Sequence, residues 1–142
     1  LYEDLSLAYE HIASCENIAV SALNLYKYYR RPGSIVNSKY SDRLLDFYKV
    51  MEWNRAYVER DYPNDKEMRR ALNVRYVFNG LHIVHAMLIS DMYAEVNKIR
   101  KEYIQYFKDV ILNSNVTRKN KVKYLMLLVS PKLYEKIREK MS

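Results

Sequence analysis

From Ser41 to the last residue, apolar side chains return every three or four positions, and little interrupts that rhythm. Such a period lines up side chains on one side of an α-helix, whereas a half-buried strand needs strict alternation. The interruptions fall at Pro63-Asn64, at Asn113-Ser114-Asn115 and at Ser130-Pro131. Only 2 Gly and 3 Pro occur among 142 residues, so turn punctuation is sparse and a mainly helical chain is expected. Ser41 is a good N-cap for a first helix carrying Leu44, Tyr48, Met51 and Val58. Asp65 can cap a second, with an apolar stripe of Met68, Leu72, Tyr76, Ile83 and Met87. Gly80 sits inside it at a cost of about 1 kcal/mol against Ala, which close packing would explain. A third helix is expected through Val96, Ile99, Tyr103, Tyr106, Phe107 and Val110. Thr117 can cap a fourth, with Val122, Leu125, Met126 and Val129 on one face, and Ser130 before Pro131 opens a last one with Leu133 and Ile137.

The first forty residues read differently. Glu3 to Cys15 has Leu5, Ala8, Tyr9 and Ile12 at helical spacing, with the acidic pair Glu3-Asp4 in the first turn, where the helix dipole favours negative charge. Asn17 is a turn residue, and Ile18 to Tyr29 is aromatic and extended in type, which predicts one or two short strands. Arg31-Pro32-Gly33-Ser34 ends them, because Pro fixes φ and Gly permits φ > 0. Two short strands alone are barely stable in water, so these are expected to join a sheet outside the chain. The expected architecture is mainly α: a short α/β piece over residues 1–40, then a helical region over residues 41–142.

A hydrophobic fraction of 49% argues against disorder. The single cysteine, Cys15, cannot form an internal disulfide; a reducing, cytoplasmic setting and a buried thiol are expected. No apolar run approaches the roughly 18 residues of a membrane span, and no secretory signal opens the chain. The formal net charge of +7 points to anionic partners, although the bases are interleaved with acids along the chain, as on a solvated basic surface.

Three groupings carry potential chemistry. Glu3-Asp4 reads either as helix capping or, if it faces a cleft, as a general base. Tyr26 to Ser38 joins aromatic residues to Arg30, Arg31, a Pro-Gly turn and the hydrogen-bonding Ser34 and Asn37. A guanidinium fork binds phosphate bidentately and Gly33 permits close backbone approach, so this is either a loop that folds over an anionic ligand or an ordinary exposed turn. His82 and His85 share a helix face, but no third metal ligand lies nearby, and His11 has no partner pattern, so core or boundary histidines are expected and no metal site. No Cys cluster, phosphate-binding loop, nucleophile elbow or dinucleotide fingerprint occurs. The 15 Tyr sit mainly at helical spacing, which points to packing rather than base stacking.

Leu1 to Leu7, followed by Leu25-Tyr26-Lys27-Tyr28-Tyr29-Arg30-Arg31-Pro32-Gly33-Ser34-Ile35, resembles the back of the GT-A catalytic domain of bacterial family 2 glycosyltransferases, the type that builds exopolysaccharide, capsule or cell-wall glycans. Ser38 to Ser41 leading into Leu44-Leu45, and the late stretch Leu127 to Tyr134, are similar to that family's continuation. The resemblance implies that Asp4 is the base that deprotonates the acceptor hydroxyl, with Glu3 in support. It implies that Arg31, Gly33 and Ser34, with Arg30 beside them, lie on a loop over the donor diphosphate. The family often carries a further Arg where this chain has Tyr29. It also holds Mg²⁺ or Mn²⁺ through an Asp-x-Asp element, which is absent here. The chain, which opens on Leu1, is therefore expected to be the C-terminal part of a larger enzyme, inactive alone. The implied partners are a nucleotide-sugar donor and a glycan or lipid-linked acceptor, with no nucleic acid. The basic stretch Arg118-Lys119-Asn120-Lys121-Val122-Lys123 is a candidate for peripheral contact with the anionic inner face of a membrane. The alternative is a non-catalytic basic helical module that binds nucleic acid or a partner protein; against the first, no DNA-reading arrangement is evident.

Overall fold

A computed structural model describes residues 2–24, 26, 27, 29 and 40–141. Its elements are helices α1 (Glu3–Ala13), α2 (Asp46–Asp61), α3 (Lys66–Ile89), α4 (Tyr93–Tyr103), α5 (Phe107–Ile111), α6 (Arg118–Val129) and α7 (Pro131–Met141). Short 3₁₀ turns, Asp42–Leu45 and Ile104–Tyr106, lead into α2 and join α4 to α5. The protein is mainly helical, as the periodicity requires. No strand occurs among the described residues. The strands expected between Ile18 and Tyr29 are therefore not present in the described part of that stretch, where Ile18, Val20, Leu23, Tyr26 and Tyr29 are exposed. Residues with strand propensity but no sheet to pair with leave their backbone to water.

The helix boundaries follow local chemistry. The Asp65 side chain accepts from the Met68 amide at 2.9 Å and starts α3. Thr117 Oγ1 accepts from the Asn120 amide at 3.3 Å and starts α6. Ser41 does act as a cap, but of the 3₁₀ turn that precedes α2. Asp91 makes the turn from α3 to α4 at φ 58°, a left-handed conformation that Asp tolerates better than most residues.

Helix α3 has 24 residues, about 36 Å of rise, and is the axis of the bundle. Its C-terminal half is buried nearly all round, from Tyr76 and Val77 through Val84 to Leu88. The side-chain contacts give the directions. Tyr2 packs on Phe47, and Leu5 lies beside Asn54, so α1 runs parallel to α2. Tyr48 meets Tyr76 and Arg55 meets Asn73, so α2 runs antiparallel to α3. Tyr103 meets Tyr76 and Asp109 meets Asn73, so the α4–α5 segment returns antiparallel to α3. Tyr124 donates to the Tyr103 carbonyl and Arg100 to the Val129 carbonyl, so α6 lies antiparallel to α4. Leu5 of α1 belongs to the same hydrophobic core as Phe47, Val77, Val96, Tyr103, Leu127 and Tyr134.

Three sequence expectations change. The face of α6 that packs is Tyr124 and Leu127, whereas Val122 and Val129 are exposed. The Tyr124 phenol, bonded to the Tyr103 carbonyl at 2.7 Å, fixes which side of the helix turns inward. Cys15 is exposed rather than buried, because it lies past the end of α1. His82 is exposed, outside the core or boundary position expected of it, whereas His85 is half-buried at the boundary. Gly80 answers to close packing as expected: a Cβ there would overlap Tyr103 Oη and stand 3.3 Å from Tyr48 Oη.

Candidate functional site

The acidic pair occupies the first turn of α1. Asp4 is exposed, and its Oδ1 accepts from the Leu5 amide at 2.8 Å, so a backbone donor of the free helix end orients the carboxylate. The Glu3 side chain lies outside the described residues. Tyr2, immediately before the pair, adopts φ 70° and ψ 27°. A left-handed conformation at a bulky side chain costs about 1–3 kcal/mol and needs surrounding contacts to hold it. Those contacts are present. The Tyr2 ring meets the buried Phe47 edge-on at 5.6 Å between centroids. Burial, then the nearby Asp46 carboxylate, raises the Tyr2 phenol above its usual range.

One turn along, Leu5 is buried and its carbonyl accepts from Asn54 Nδ2 at 3.3 Å. Asn54, 2% exposed, is the one buried polar residue recorded among the described residues. It stands in the core stripe of α2 between Met51 and Val58. A buried amide is costly unless hydrogen-bonded, and here it is spent on fixing the first turn of α1. Sequence reasoning did not single out Asn54, Tyr2 or Phe47. The available signal was an Asn at an apolar position of a helical repeat.

The second polar concentration is the tyrosine belt between α2, α3, α4 and α5. Tyr76 meets Tyr48, Tyr103 and Tyr106 at 5.4, 5.8 and 5.4 Å between ring centroids. Its hydroxyl donates to Glu102. Arg55 stacks over Tyr76 and Tyr106 at 5.7 Å from each and donates to the Tyr106 hydroxyl and to Asn73, which in turn donates to Asp109. Among the described residues no buried side-chain nitrogen or oxygen lacks a partner. Burial pushes the Tyr48 phenol up to about 12, partly offset by its bond with Tyr103. Burial also raises Tyr124 to about 12, and lifts Tyr76 and Tyr103 well above the usual 10. These phenols are neutral at physiological pH and fully engaged, so they support the bundle rather than exchange protons with a ligand.

A cleft of about 700 Å³ opens between α1, the start of α3 and the end of α5, lined among others by Tyr9, Met68, Arg70, Lys108, Asp109 and Asn113. Its volume falls in the range of small-molecule sites. Tyr9 lies five residues, about 7.5 Å of helix rise, beyond Asp4, and Asp4 does not line the cleft.

Arg30, Arg31, Gly33 and Ser34 lie outside the described residues, so their relation to Asp4 is a matter of sequence alone. Among the described residues no group of three His, Cys, Asp or Glu is placed to hold a metal ion, and no helix is long and apolar enough to cross a membrane. No protein-family profile, curated protein or solved structure matches the chain.

Proposed function

We propose that this chain is the C-terminal part of an inverting, GT-A-type family 2 glycosyltransferase, with Asp4 as the acceptor base. In the reaction the Asp4 carboxylate takes the proton of an acceptor hydroxyl. The acceptor oxygen bonds to the anomeric carbon of a nucleotide sugar, and the bond from that carbon to the nucleoside diphosphate breaks with inversion. Arg31, on a loop with Arg30, Gly33 and Ser34, neutralises charge on the departing diphosphate. Residues 1–40 would supply the back of the catalytic domain, their extended stretch pairing with a sheet contributed by the rest of the enzyme. The nucleotide-binding units, and the Mg²⁺ or Mn²⁺ such enzymes use, belong to residues outside this chain. The setting is cytoplasmic, in cell-envelope or exopolysaccharide synthesis, on a glycan or lipid-linked acceptor.

The observation that carries this reading is the anchored start of α1. An exposed carboxylate is held by a backbone amide, next to a left-handed Tyr2 clamped on Phe47, with the following turn tied down by buried Asn54. These contacts fix the first turn of α1, and a general base needs such positioning within hydrogen-bond reach before proton transfer.

The test uses the enzyme that joins this chain to a nucleotide-sugar-binding half. Asp4→Asn is expected to lower sugar transfer by about 10²- to 10⁴-fold with little change in donor KM. Transfer at the unsubstituted rate would remove Asp4 from the mechanism. The 142-residue chain alone is expected to transfer no sugar, and robust transfer by it would overturn the assignment of the donor site to residues outside it.

A further inference from the structure

Glu95, Glu102 and Asp109 recur every seven residues along the α4–α5 segment. Each engages a group elsewhere in the chain, Glu102 while remaining exposed. Glu102 accepts from the Tyr76 hydroxyl, and Asp109 accepts from Asn73 at 2.8 Å and pairs with Arg70 at 3.8 Å. Glu95 stands near Tyr40, where, after burial and Asp42, it helps keep that phenol's pKa up. Val96, Tyr103, Tyr106 and Val110 fill the core. Basic and apolar side chains are the more numerous on the segment's exposed surface. Lys98, Lys101 and Lys108 are exposed, with Ile104 53%, Phe107 44% and Leu112 78% exposed among them. Val129, 65% exposed, adjoins this face because Arg100 donates to its carbonyl.

We infer that this outward face is a docking surface for an anionic phospholipid membrane. It presents the two components that interfacial binding needs: apolar side chains that enter the headgroup boundary, and lysines whose long stems let the ammonium reach lipid phosphate. Glu102 and Asp109 are engaged in hydrogen bonds to Tyr76 and Asn73. A nucleic acid would be served by the lysines but not by Ile104 and Leu112, since aliphatic side chains neither stack on bases nor bind phosphate. The inference does not depend on the glycosyltransferase reading. The α4–α5 face is a different surface from the start of α6, which the sequence offered either as a membrane contact or as a solvated helix start.

The experiment is sedimentation of the full chain with vesicles of phosphatidylcholine containing about one-third phosphatidylserine, at low and at physiological salt. The chain is expected to partition onto these vesicles and not onto pure phosphatidylcholine. Each lysine near an anionic surface is worth about fivefold in binding. The triple variant Lys98→Gln, Lys101→Gln, Lys108→Gln is therefore expected to bind about 100-fold less tightly. Ile104→Ser with Leu112→Ser should also weaken binding while circular dichroism stays helical. A control with the same charge change elsewhere, Lys27→Gln, Lys49→Gln, Lys66→Gln, is expected to bind nearly as the parent. Absence of vesicle binding at low salt overturns the inference, as does an equal loss in the control. Retained binding by the Ile104/Leu112 variant, with DNA competing for the same lysines, overturns it in favour of nucleic acid. Concentration-dependent dimerisation abolished by that variant overturns it in favour of a second copy of the chain.

Discussion

The start of α1 and the tyrosine belt both concentrate polar side chains, and they hold them in opposite ways. In the belt, Tyr48, Tyr76, Tyr103 and Arg55 are enclosed between helices and bonded to one another or to Glu102 and Asn73. At the start of α1 the supports are buried, through Leu5, Asn54 and Phe47, while Asp4 stays in water. The belt uses its hydrogen bonds up in making a core. The helix start uses a small core to hold one carboxylate available. Counting polar residues would rank the belt first as a candidate site; asking which polar groups remain accessible reverses the order.

Alkali should break this contrast most widely. Tyr48, Tyr76 and Tyr103 of the belt, and Tyr124 beside it, have folded-state pKa values raised above the usual 10, to about 12 for Tyr48 and Tyr124. A raised folded pKa means that stability from keeping these groups neutral is full below pH about 10 and is lost as pH climbs through 12. Ionisation of these four phenols is expected above the usual tyrosine range and together with loss of helical circular dichroism. A single titration near 10 with the helices intact would mean that the belt is open to solvent.

Gly80→Ala tests the same region by volume. Ala gains about 1 kcal/mol in helix propensity, but its Cβ would displace Tyr103 Oη and the 3.2 Å contact between the Tyr103 and Tyr48 hydroxyls. Overpacking is expected to win by about 1–3 kcal/mol, lowering the thermal midpoint by several degrees. A midpoint that rises would show that Tyr103 can step aside at no cost.

Asn54→Ala should act on the other region and act locally. One buried hydrogen bond is worth about 0.5–1.5 kcal/mol. Hydrogen exchange should quicken in α1 while α3 stays protected, since helix ends open independently of the core. Equal loss of protection in both helices would show that α1 is part of the central cooperative unit. The smallest stability effect is expected from Asp4→Asn, within about 0.5 kcal/mol by thermal unfolding, whereas the proposed role as acceptor base requires the same change to lower sugar transfer by about 10²- to 10⁴-fold. That separation of stability from activity distinguishes a base from a cap.

Much of the fold was legible because a 3.6-residue period and caps such as Asp65, Thr117 and Pro131 act within a single helix. Two faces were misread or not foreseen for a common reason. Val122, Leu125, Met126 and Val129 form a plausible stripe on α6, yet Tyr124 turns the helix by bonding to the Tyr103 carbonyl, a partner 21 residues away. The exposed side of α4–α5 was not foreseen, because only the packing of Val96, Tyr103, Tyr106 and Val110 in the core shows which side is left to solvent. The strands expected between Ile18 and Tyr29 rest on propensity, which needs a neighbouring strand to act on.

By itself the sequence determined that this chain is helical, where most of its helices begin, and that Glu3-Asp4 opens the first of them. It also carries the motif Arg30 to Ser34, whose chemistry is written in residue type alone. The tertiary structure decided which polar groups are used up and which remain available. Asn54 at an apolar position, Tyr2 in a left-handed turn and the enclosed phenols acquire meaning only from partners distant in the chain. Periodicity reports what one helix can bury; burial and hydrogen bonding depend on what another helix brings to meet it.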